Sequence, residues 1–279
     1  MIDPVPIPVS ADLHIHTRHS HDAQGSLSEC CEAAISAGLG VIGFTEHVDF
    51  DPADPGIGFF NYDAVRSAID DVRRAYTGQI RILFGVEVDY QEWFTDQIEE
   101  FLAHHRFDYV IGSVHAIGQQ ALMTDAYLAE RDPFQAVSDY FEAVARSAES
   151  GLFDVIGHLE YKLSRGGHIR DRLENRAYET ALARCVQRIV GSGSILEINT
   201  AGGRHTDESI YPGAIALGLY RRFGGIAVCL GSDAHSPERI GWRLVDAAAS
   251  ADHAGLIVIS DPERRSSALS APRRRASAS

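Results

Sequence analysis

Short apolar runs alternate with amphipathic stretches along most of the chain. Seven runs have the length and composition of buried strands, at residues 10–17, 41–45, 80–86, 107–114, 153–157, 194–198 and 226–230. Helical periodicity lies between them, at residues 26–38, 63–76, 91–106, 133–151, 173–190 and 212–223. This alternation predicts a parallel α/β sheet. Because the chain lacks a glycine-rich phosphate-binding motif, the repeated units favour a barrel over a doubly wound sheet.

The first predicted strand carries two histidines that are two residues apart. Residues i and i+2 of a strand face the same side, so His14 and His16 are expected to point toward one place, while Leu13 and Ile15 face the opposite wall. Neutral imidazole suits zinc, iron, copper or nickel. The pair therefore predicts half of a metal site, whose other ligands must come from elsewhere in the chain.

Further metal-competent residues end or follow the other apolar runs. With the first pair, they are His14, His16, His47, Glu87, His115, His158, Asp233 and His235. A lone histidine in such a place is more often a satisfied structural residue. So many buried imidazoles and carboxylates would all need partners, however, and metal ions satisfy them at once. Eight ligands exceed the four that one zinc takes, so two or three ions are expected, as in centres that hydrolyse phosphoesters.

Composition limits the classes of partner. The chain holds 25 basic and 39 acidic side chains, and its net charge is −14. Residues 262–279 contain five Arg and one Glu, so the remainder has 20 basic and 38 acidic residues and a charge of −18. A body that acidic is a poor general nucleic-acid binder, and no apolar run approaches the roughly 18 residues of a membrane span. We expect a cytoplasmic protein whose partner is a small molecule.

Two smaller predictions follow from composition. The four cysteines show no CxxC spacing, so free thiols are favoured over a disulfide or a thiolate metal site. The segment 262–279 is rich in Ser, Ala and Arg and has almost nothing to bury, so it is predicted to be a disordered basic tail.

The motifs that contain these residues resemble the polymerase and histidinol phosphatase (PHP) family. The matching segments are DLHIHT at 12–17, FTEH at 44–47, GVE at 85–87, GSVH at 112–115, GH at 157–158 and GSDAHS at 231–236. Within the family, the chain is similar to the histidinol-phosphatase branch. That likeness rests on LEINTAG at 196–202 with Arg204, and on ESIYP at 208–212.

The resemblance implies a fold and a set of ligands. The fold would be a distorted (β/α)7 barrel in a single domain at 10–261, after an N-terminal extension at 1–9. One metal ion would take His14, His16, Glu87 and Asp233; a second would share Glu87 and take His115 and His158; a third would take His47, His235 and Asp22. Some members have histidine at the position of Asp22, and His19 and His21 are nearby alternatives. Zinc, iron and manganese all suit such ligands.

The resemblance also implies an activity. The chain would hydrolyse L-histidinol phosphate in histidine biosynthesis, by attack of a metal-bridging hydroxide on phosphorus. Arg204 and Arg165 are candidates to bind the phosphate, because a guanidinium matches its geometry. Glu46, Glu160 and Tyr161 are candidates to meet the ammonium and imidazole of the substrate. No general acid for the leaving group is identified.

Two alternatives remain open from the sequence. The first is a PHP phosphoesterase that acts on another small phosphate ester or a nucleotide. The second is a non-catalytic module that metal ions stabilise, although degeneration would be expected to remove ligands first. A polymerase-associated exonuclease is disfavoured, because a groove that follows a nucleic-acid strand should be basic.

Overall fold

One parallel sheet organises the chain. A computed structural model describes residues 9–118, 120–122, 124–129, 131–161, 163, 175–201 and 210–262. The strands are β1 (Ala11–Ile15), β2 (Val41–Val48), β3 (Arg81–Asp89), β4 (Tyr109–Ser113), β5 (Ala116–Ile117), β6 (Gln120–Ala121), β7 (Val155–Ile156), β8 (Ile195–Asn199), β9 (Ala227–Gly231) and β10 (Ile257–Val258). Within the described residues, eight of them form the sheet, in the order β1-β2-β3-β4-β7-β8-β9-β10. β5 and β6 form a separate antiparallel pair.

The sheet curls until its first strand meets the chain just beyond β9. The backbone N–H of His16 donates to the carbonyl of Ala234 at 2.8 Å, and Ile15 forms a parallel bridge with Ala234. β10 pairs with Ala227 and Val228, on the flank of β9 that β8 leaves open. β1 therefore pairs on this side of β9 only beyond the end of the strand, at Ala234, and the barrel is distorted at that point. The seven predicted strands and the α/β barrel are confirmed, with β10 as an unpredicted eighth strand.

Helices connect the strands. They are α1 (Leu27–Ser36), α2 (Tyr62–Ala75), α3 (Thr95–His104), α4 (Asp125–Ala129), α5 (Pro133–Ser150), α6 (Asn175–Ser192), α7 (Ala214–Arg222) and α8 (Leu244–His253). α1 begins with a capping box, in which Ser26 and Glu29 each accept a hydrogen bond from the other's backbone N–H. The pattern did not predict α4 and α8. In the described part of the chain, no helix combines the length and apolarity needed to cross a bilayer.

Two strands run further than their apolar residues predict. The apolar run at 41–45 continues to Val48 as β2, and the run at 80–86 continues to Asp89 as β3. The reason is their mutual pairing, which extends through His47 opposite Glu87. Those two side chains therefore lie next to each other within paired strands, whereas the pattern placed them just after the strands.

The interior of the barrel is closed by a small apolar cluster. Its buried members are Ala11, Leu13, Leu83, Tyr109, Ile111, Val155, Ile195 and Cys229. Tyr109 extends across the interior and donates from its hydroxyl to the carbonyl of Leu13 at 2.6 Å. A Cβ at Gly43 or Gly85 would overlap the Tyr109 side chain, so both positions require glycine. All four cysteines are buried free thiols, as predicted.

Replacing Tyr109 with Phe tests this interior contact. Tyr109→Phe removes the hydrogen bond to the Leu13 carbonyl while keeping the ring, and we expect the free energy of unfolding to fall by about 1 to 2 kcal/mol. Urea denaturation measures the change. Tyr76→Phe is the matched control, because the Tyr76 hydroxyl lies in an exposed contact with Glu32 at 3.3 Å and should contribute little. Equal stabilities of the two variants would contradict the assigned role of Tyr109.

Candidate metal centre

A local irregularity in β1 directs its two histidines into the barrel mouth. The register of β1 against β2 shifts between Asp12 and Ile15. As a result, Leu13 packs in the barrel interior and Ile15 packs with the helix-facing cluster, so the prediction that they share one wall is wrong. The Thr45 hydroxyl accepts a hydrogen bond from the Ile15 backbone N–H at 3.1 Å, so this N–H has a partner within the irregular stretch. The predicted convergence of the two imidazoles is confirmed, with ring centroids 5.0 Å apart.

The first group of candidate ligand atoms is buried. Nε2 of His14 and Nε2 of His16 lie 3.3 and 3.4 Å from Oε2 of Glu87, and His16 Nε2 lies 3.4 Å from Oδ1 of Asp233. Ligands at about 2.0–2.2 Å from one tetrahedral ion are about 3.3–3.5 Å apart, so the spacing fits. In the described part of the chain, His14 Nε2 and His16 Nε2 are buried without a hydrogen-bond partner, while Glu87 Oε2 lies 2.9 Å from Nδ1 of His47. A cation between the two imidazoles and Glu87 would give both nitrogens a partner.

The second group uses the other oxygen of Glu87. Oε1 of Glu87 lies 2.9 Å from Nε2 of His158 and 3.6 Å from Nε2 of His115, and these two nitrogens are 3.2 Å apart. Glu87 thus faces two groups of donors, one with each oxygen. His158 has a backbone φ of +23°, a strained value for a residue with a side chain. Such strain is common at functional sites.

The third group is more open to solvent. Asp22 Oδ2 lies 3.2 Å from His235 Nε2, and Asp22 Oδ1 lies 3.6 Å from His47 Nε2. The His47 ring stacks on that of His16, with centroids 4.2 Å apart. The Asp22 side chain is 43% exposed, against 13% for His47 and 15% for His235. His21, an alternative to Asp22, is also near this group, with its ring centroid 6.1 Å from that of His47.

Burial and neighbouring charges shift the pKa values of the inner side chains in different directions. Burial lowers the pKa of His16 well below its usual value, and the nearby His47 and His235 lower it further. Burial opposes ionisation of Glu87, yet His14 and His47 hold its pKa well below the usual range. Burial opposes protonation of His14, yet Glu197 and Glu87 raise its pKa well above the usual value; likewise, Glu87 raises the pKa of His47 to about 9 against the effect of burial. A cation that binds to these imidazoles would therefore displace protons from them.

Further polar side chains hold the ligands in place. His14 Nδ1 lies 2.7 Å from a carboxylate oxygen of Glu197, which directs His14 Nε2 toward the centre. Ser20 donates to Glu46 at 2.6 Å and receives the backbone N–H of His47 at 3.0 Å, while His16 Nδ1 lies 3.3 Å from the same hydroxyl. Every hydrogen-bonding position of the Ser20 hydroxyl is thus occupied.

Residues 12–201 match the family model of the PHP domain, which covers more than half of the chain. The chain belongs to the PHP domain family. The matched region of this PHP domain contains six of the candidate ligands, which are His14, His16, His47, Glu87, His115 and His158.

Several relatives span most of this PHP chain. A protein of Deinococcus radiodurans, named probable histidinol-phosphatase, is 32% identical over 244 residues, which cover 85% of this chain and 90% of the relative. The histidinol-phosphatase of Lactococcus lactis subsp. lactis is 27% identical over 234 residues, with 82% and 85% covered. The crystal structure of histidinol phosphate phosphatase from the same organism contains zinc, L-histidinol and phosphate. It superposes with a TM-score of 0.79 at 25% identity and covers 90% of this chain and 95% of that one.

The PHP site opens into a cavity of about 180 Å³. It is lined by His21, Asp22, His47, Asp49, Asp54, Glu87, His115, His158, Tyr161, Asp233 and His235. Tyr161, one of the candidates for substrate contact, is on this wall. Glu46 instead bonds to Thr17 and Ser20, and Glu160 receives Tyr178 and the backbone N–H of Gly213, so both are engaged elsewhere. Arg165 and Arg204 lie outside the described residues.

Three buried carboxylates beside the site were absent from the predicted site residues. They are Asp12, Asp89 and Glu197. Asp12 binds the backbone N–H groups of Ser232 and Gly241, both at 2.9 Å, and so fixes the loop that carries Asp233. Asp12 and Glu197 lie inside predicted apolar runs, whereas Asp89 ends β3 beyond the run at 80–86. A charged residue inside an apolar run, where burial demands a partner, is the sequence signal that could have identified Asp12 and Glu197.

Removing the Ser20 hydroxyl tests how the His16 ring is held. In Ser20→Ala, both the ring and Glu46 lose a hydrogen-bond partner, so we expect zinc affinity to fall about 10-fold. Competition with a chelator measures it. Ser147→Ala is the matched control, since the Ser147 hydroxyl is buried without a partner in the described residues and lies on α5. Unchanged zinc affinity in Ser20→Ala would contradict this role.

Proposed function

We propose that this chain is a metal-dependent phosphomonoesterase that hydrolyses L-histidinol phosphate to L-histidinol and phosphate. The observation that carries the proposal is the position of Glu87, whose two oxygens face two buried groups of imidazoles beside a third, more exposed group. These groups open into one cavity, which gives a small phosphate ester access to them. The relatives named histidinol-phosphatase align with most of the chain and support this substrate.

The nine predicted ligands form the proposed metal centre. His14, His16, Glu87 and Asp233 would hold one divalent ion; Glu87, His115 and His158 a second; and His47, His235 and Asp22 a third. When bound, such ions supply a nucleophile from water at neutral pH and positive charge for the phosphoryl oxygens. Zinc is supported by the Lactococcus lactis structure, while iron and manganese suit the same donors.

The protein itself contributes position and exclusion of water. His14 and His16 are 0% exposed and Glu87 is 1% exposed, so bulk water is kept from the inner donors. The outer ligands His47, His235 and Asp22 line the cavity through which the ester would enter. Arg204 and Arg165 remain candidates to bind the phosphate, and no residue is assigned as the general acid. We also expect a cytoplasmic location, as for an enzyme of amino-acid biosynthesis.

A different phosphate ester is the main alternative substrate. The acidic composition of the chain disfavours long nucleic acids, which leaves nucleotides and sugar phosphates as competitors. A non-catalytic module is disfavoured because all nine ligand positions hold metal-competent residues, whose donor atoms lie close together.

Phosphate release tests the proposed substrate. We expect efficient release from L-histidinol phosphate and much slower release from nucleotides and sugar phosphates. Glu87→Gln should reduce kcat/KM by more than about 100-fold, because one oxygen of the shared carboxylate becomes an amide. Glu142→Gln, which changes a surface carboxylate on α5, should keep full activity. Rapid hydrolysis of other esters with none of histidinol phosphate would retain a phosphoesterase and reject this substrate.

Removal of metal tests the centre independently of substrate. After treatment with a chelator, we expect loss of activity and a lower Tm, since the buried donors are left without a cation. Adding zinc or manganese should restore both properties. A chelated protein that keeps its Tm and contains no tightly bound metal as purified would contradict the proposed centre.

A further inference from the structure

We propose that Glu197 is a positioning residue that couples two metal sites by holding the ring of His14 and the backbone of His158. The inference rests on the proposed metal centre and goes beyond its ligands. One oxygen of Glu197 lies 2.7 Å from His14 Nδ1, and the other accepts the backbone N–H of His158 at 2.7 Å. His14 belongs to the first group of ligands and His158 to the second. A single carboxylate therefore fixes one ligand of each.

The fold gives Glu197 little freedom. It lies in the middle of β8, opposite Cys229 of β9, and is 1% exposed. A Cβ at Gly231 would overlap both the Glu197 carboxylate and the Cβ of His14, so the glycine allows the close approach. The carboxylate is consequently packed against β1 and β9 as well as hydrogen-bonded. Its position relative to the His14 ring is set by the barrel itself.

The hydrogen bonds of Glu197 determine the tautomer of His14. An ionised carboxylate only accepts, so the His14 proton must lie on Nδ1, which leaves the Nε2 lone pair directed toward the centre. The second oxygen accepts from His158 N–H and from Asn199 Nδ2 at 3.1 Å. The Asn199 amide is oriented by its own carbonyl oxygen, which accepts the backbone N–H of Ala201 at 2.8 Å. All three neighbours of Glu197 are therefore donors.

An amide cannot replace this carboxylate. If the side-chain oxygen of the Glu197→Gln variant faced His14, its NH₂ group would face the two donors His158 N–H and Asn199 Nδ2. In the reverse orientation the NH₂ group would face His14 Nδ1 and favour the proton on Nε2, where it blocks metal binding. His158 also depends on this contact, because its φ of +23° is strained and its N–H would lose its acceptor. Either orientation of the amide thus harms a ligand.

The decisive experiment measures metal affinity in the full chain. Zinc affinities of the wild type, Glu197→Gln and Asp154→Asn are compared by competition with a chromogenic chelator, together with thermal unfolding of the metal-free proteins. Asp154 is the matched control: it is buried, accepts the Val110 backbone N–H at 3.0 Å, and lies at the amino end of β7, away from the centre. We expect Glu197→Gln to weaken the binding of two zinc ions by about 10- to 100-fold. Asp154→Asn should lose stability and keep the wild-type affinities.

Three results would overturn the proposal. One is a Glu197→Gln variant that binds all its zinc as tightly as the wild type, and another is an equal loss of affinity in Asp154→Asn, which would indicate a general effect of stability. If the wild type binds no metal, the proposed function fails and this inference fails with it. Failure of Glu197→Gln alone leaves the proposed function intact.

A measurement on the wild type covers the case in which Glu197→Gln does not fold. In the zinc-loaded protein, ¹⁵N-labelled histidines report the protonated ring nitrogen by NMR, and His14→Gln assigns the His14 signals by their loss. We expect the His14 proton on Nδ1 with slow exchange, because the Glu197 contact is buried. A proton on Nε2, or zinc bound through Nδ1, would overturn the proposal.

Discussion

The site depends on the contacts that the carboxylate of Glu87 makes with the surrounding imidazoles. Glu87 is 1% exposed, and five imidazoles approach it to within 3.6 Å, from His14, His16, His47, His115 and His158. A buried carboxylate among so many donors is stable only if each group has a partner of suitable charge. Its location within β3, opposite His47 of β2 and next to β4, brings four segments of the chain to it. The barrel topology thus creates the site by bringing the strand ends together.

The exposed fraction of the candidate ligands increases from the inner to the outer group, and this difference affects how much solvent could reach a bound metal ion. The first group is nearly inaccessible, whereas Asp22 in the third group is 43% exposed. A metal held by the inner group would lose its solvent and exchange slowly, while one near Asp22 could keep water or substrate as a ligand. The same difference places the most open coordination on the side of the cavity. Burial and access are therefore separated within one cluster.

The sequence predicted the barrel and eight of the nine ligand candidates because both depend on local patterns, while Asp22 was implied by the family resemblance. Apolar runs identify buried parallel strands, and polar residues at their ends identify the mouth of a barrel. The features that it did not predict depend on contacts between distant segments. The irregular register of β1 arises from its pairing with β2, β10 joins β9 late in the chain, and Glu197 gains its role only when β8 packs beside His14. The periodicity of one segment does not show which distant segments it will contact.

The interior and the mouth of the barrel place different requirements on the backbone. In the interior, Tyr109 fills the space beside Gly43 and Gly85 and packs with apolar residues. At the mouth, His158 and Asp233 adopt positive φ values of 23° and 52°, which disfavour residues with side chains. Strain of this kind persists only where surrounding contacts fix it, and the hydrogen bond that the His158 N–H donates to Glu197 of β8 does so at His158. The packed interior therefore provides the stability that allows strained ligand positions at the mouth.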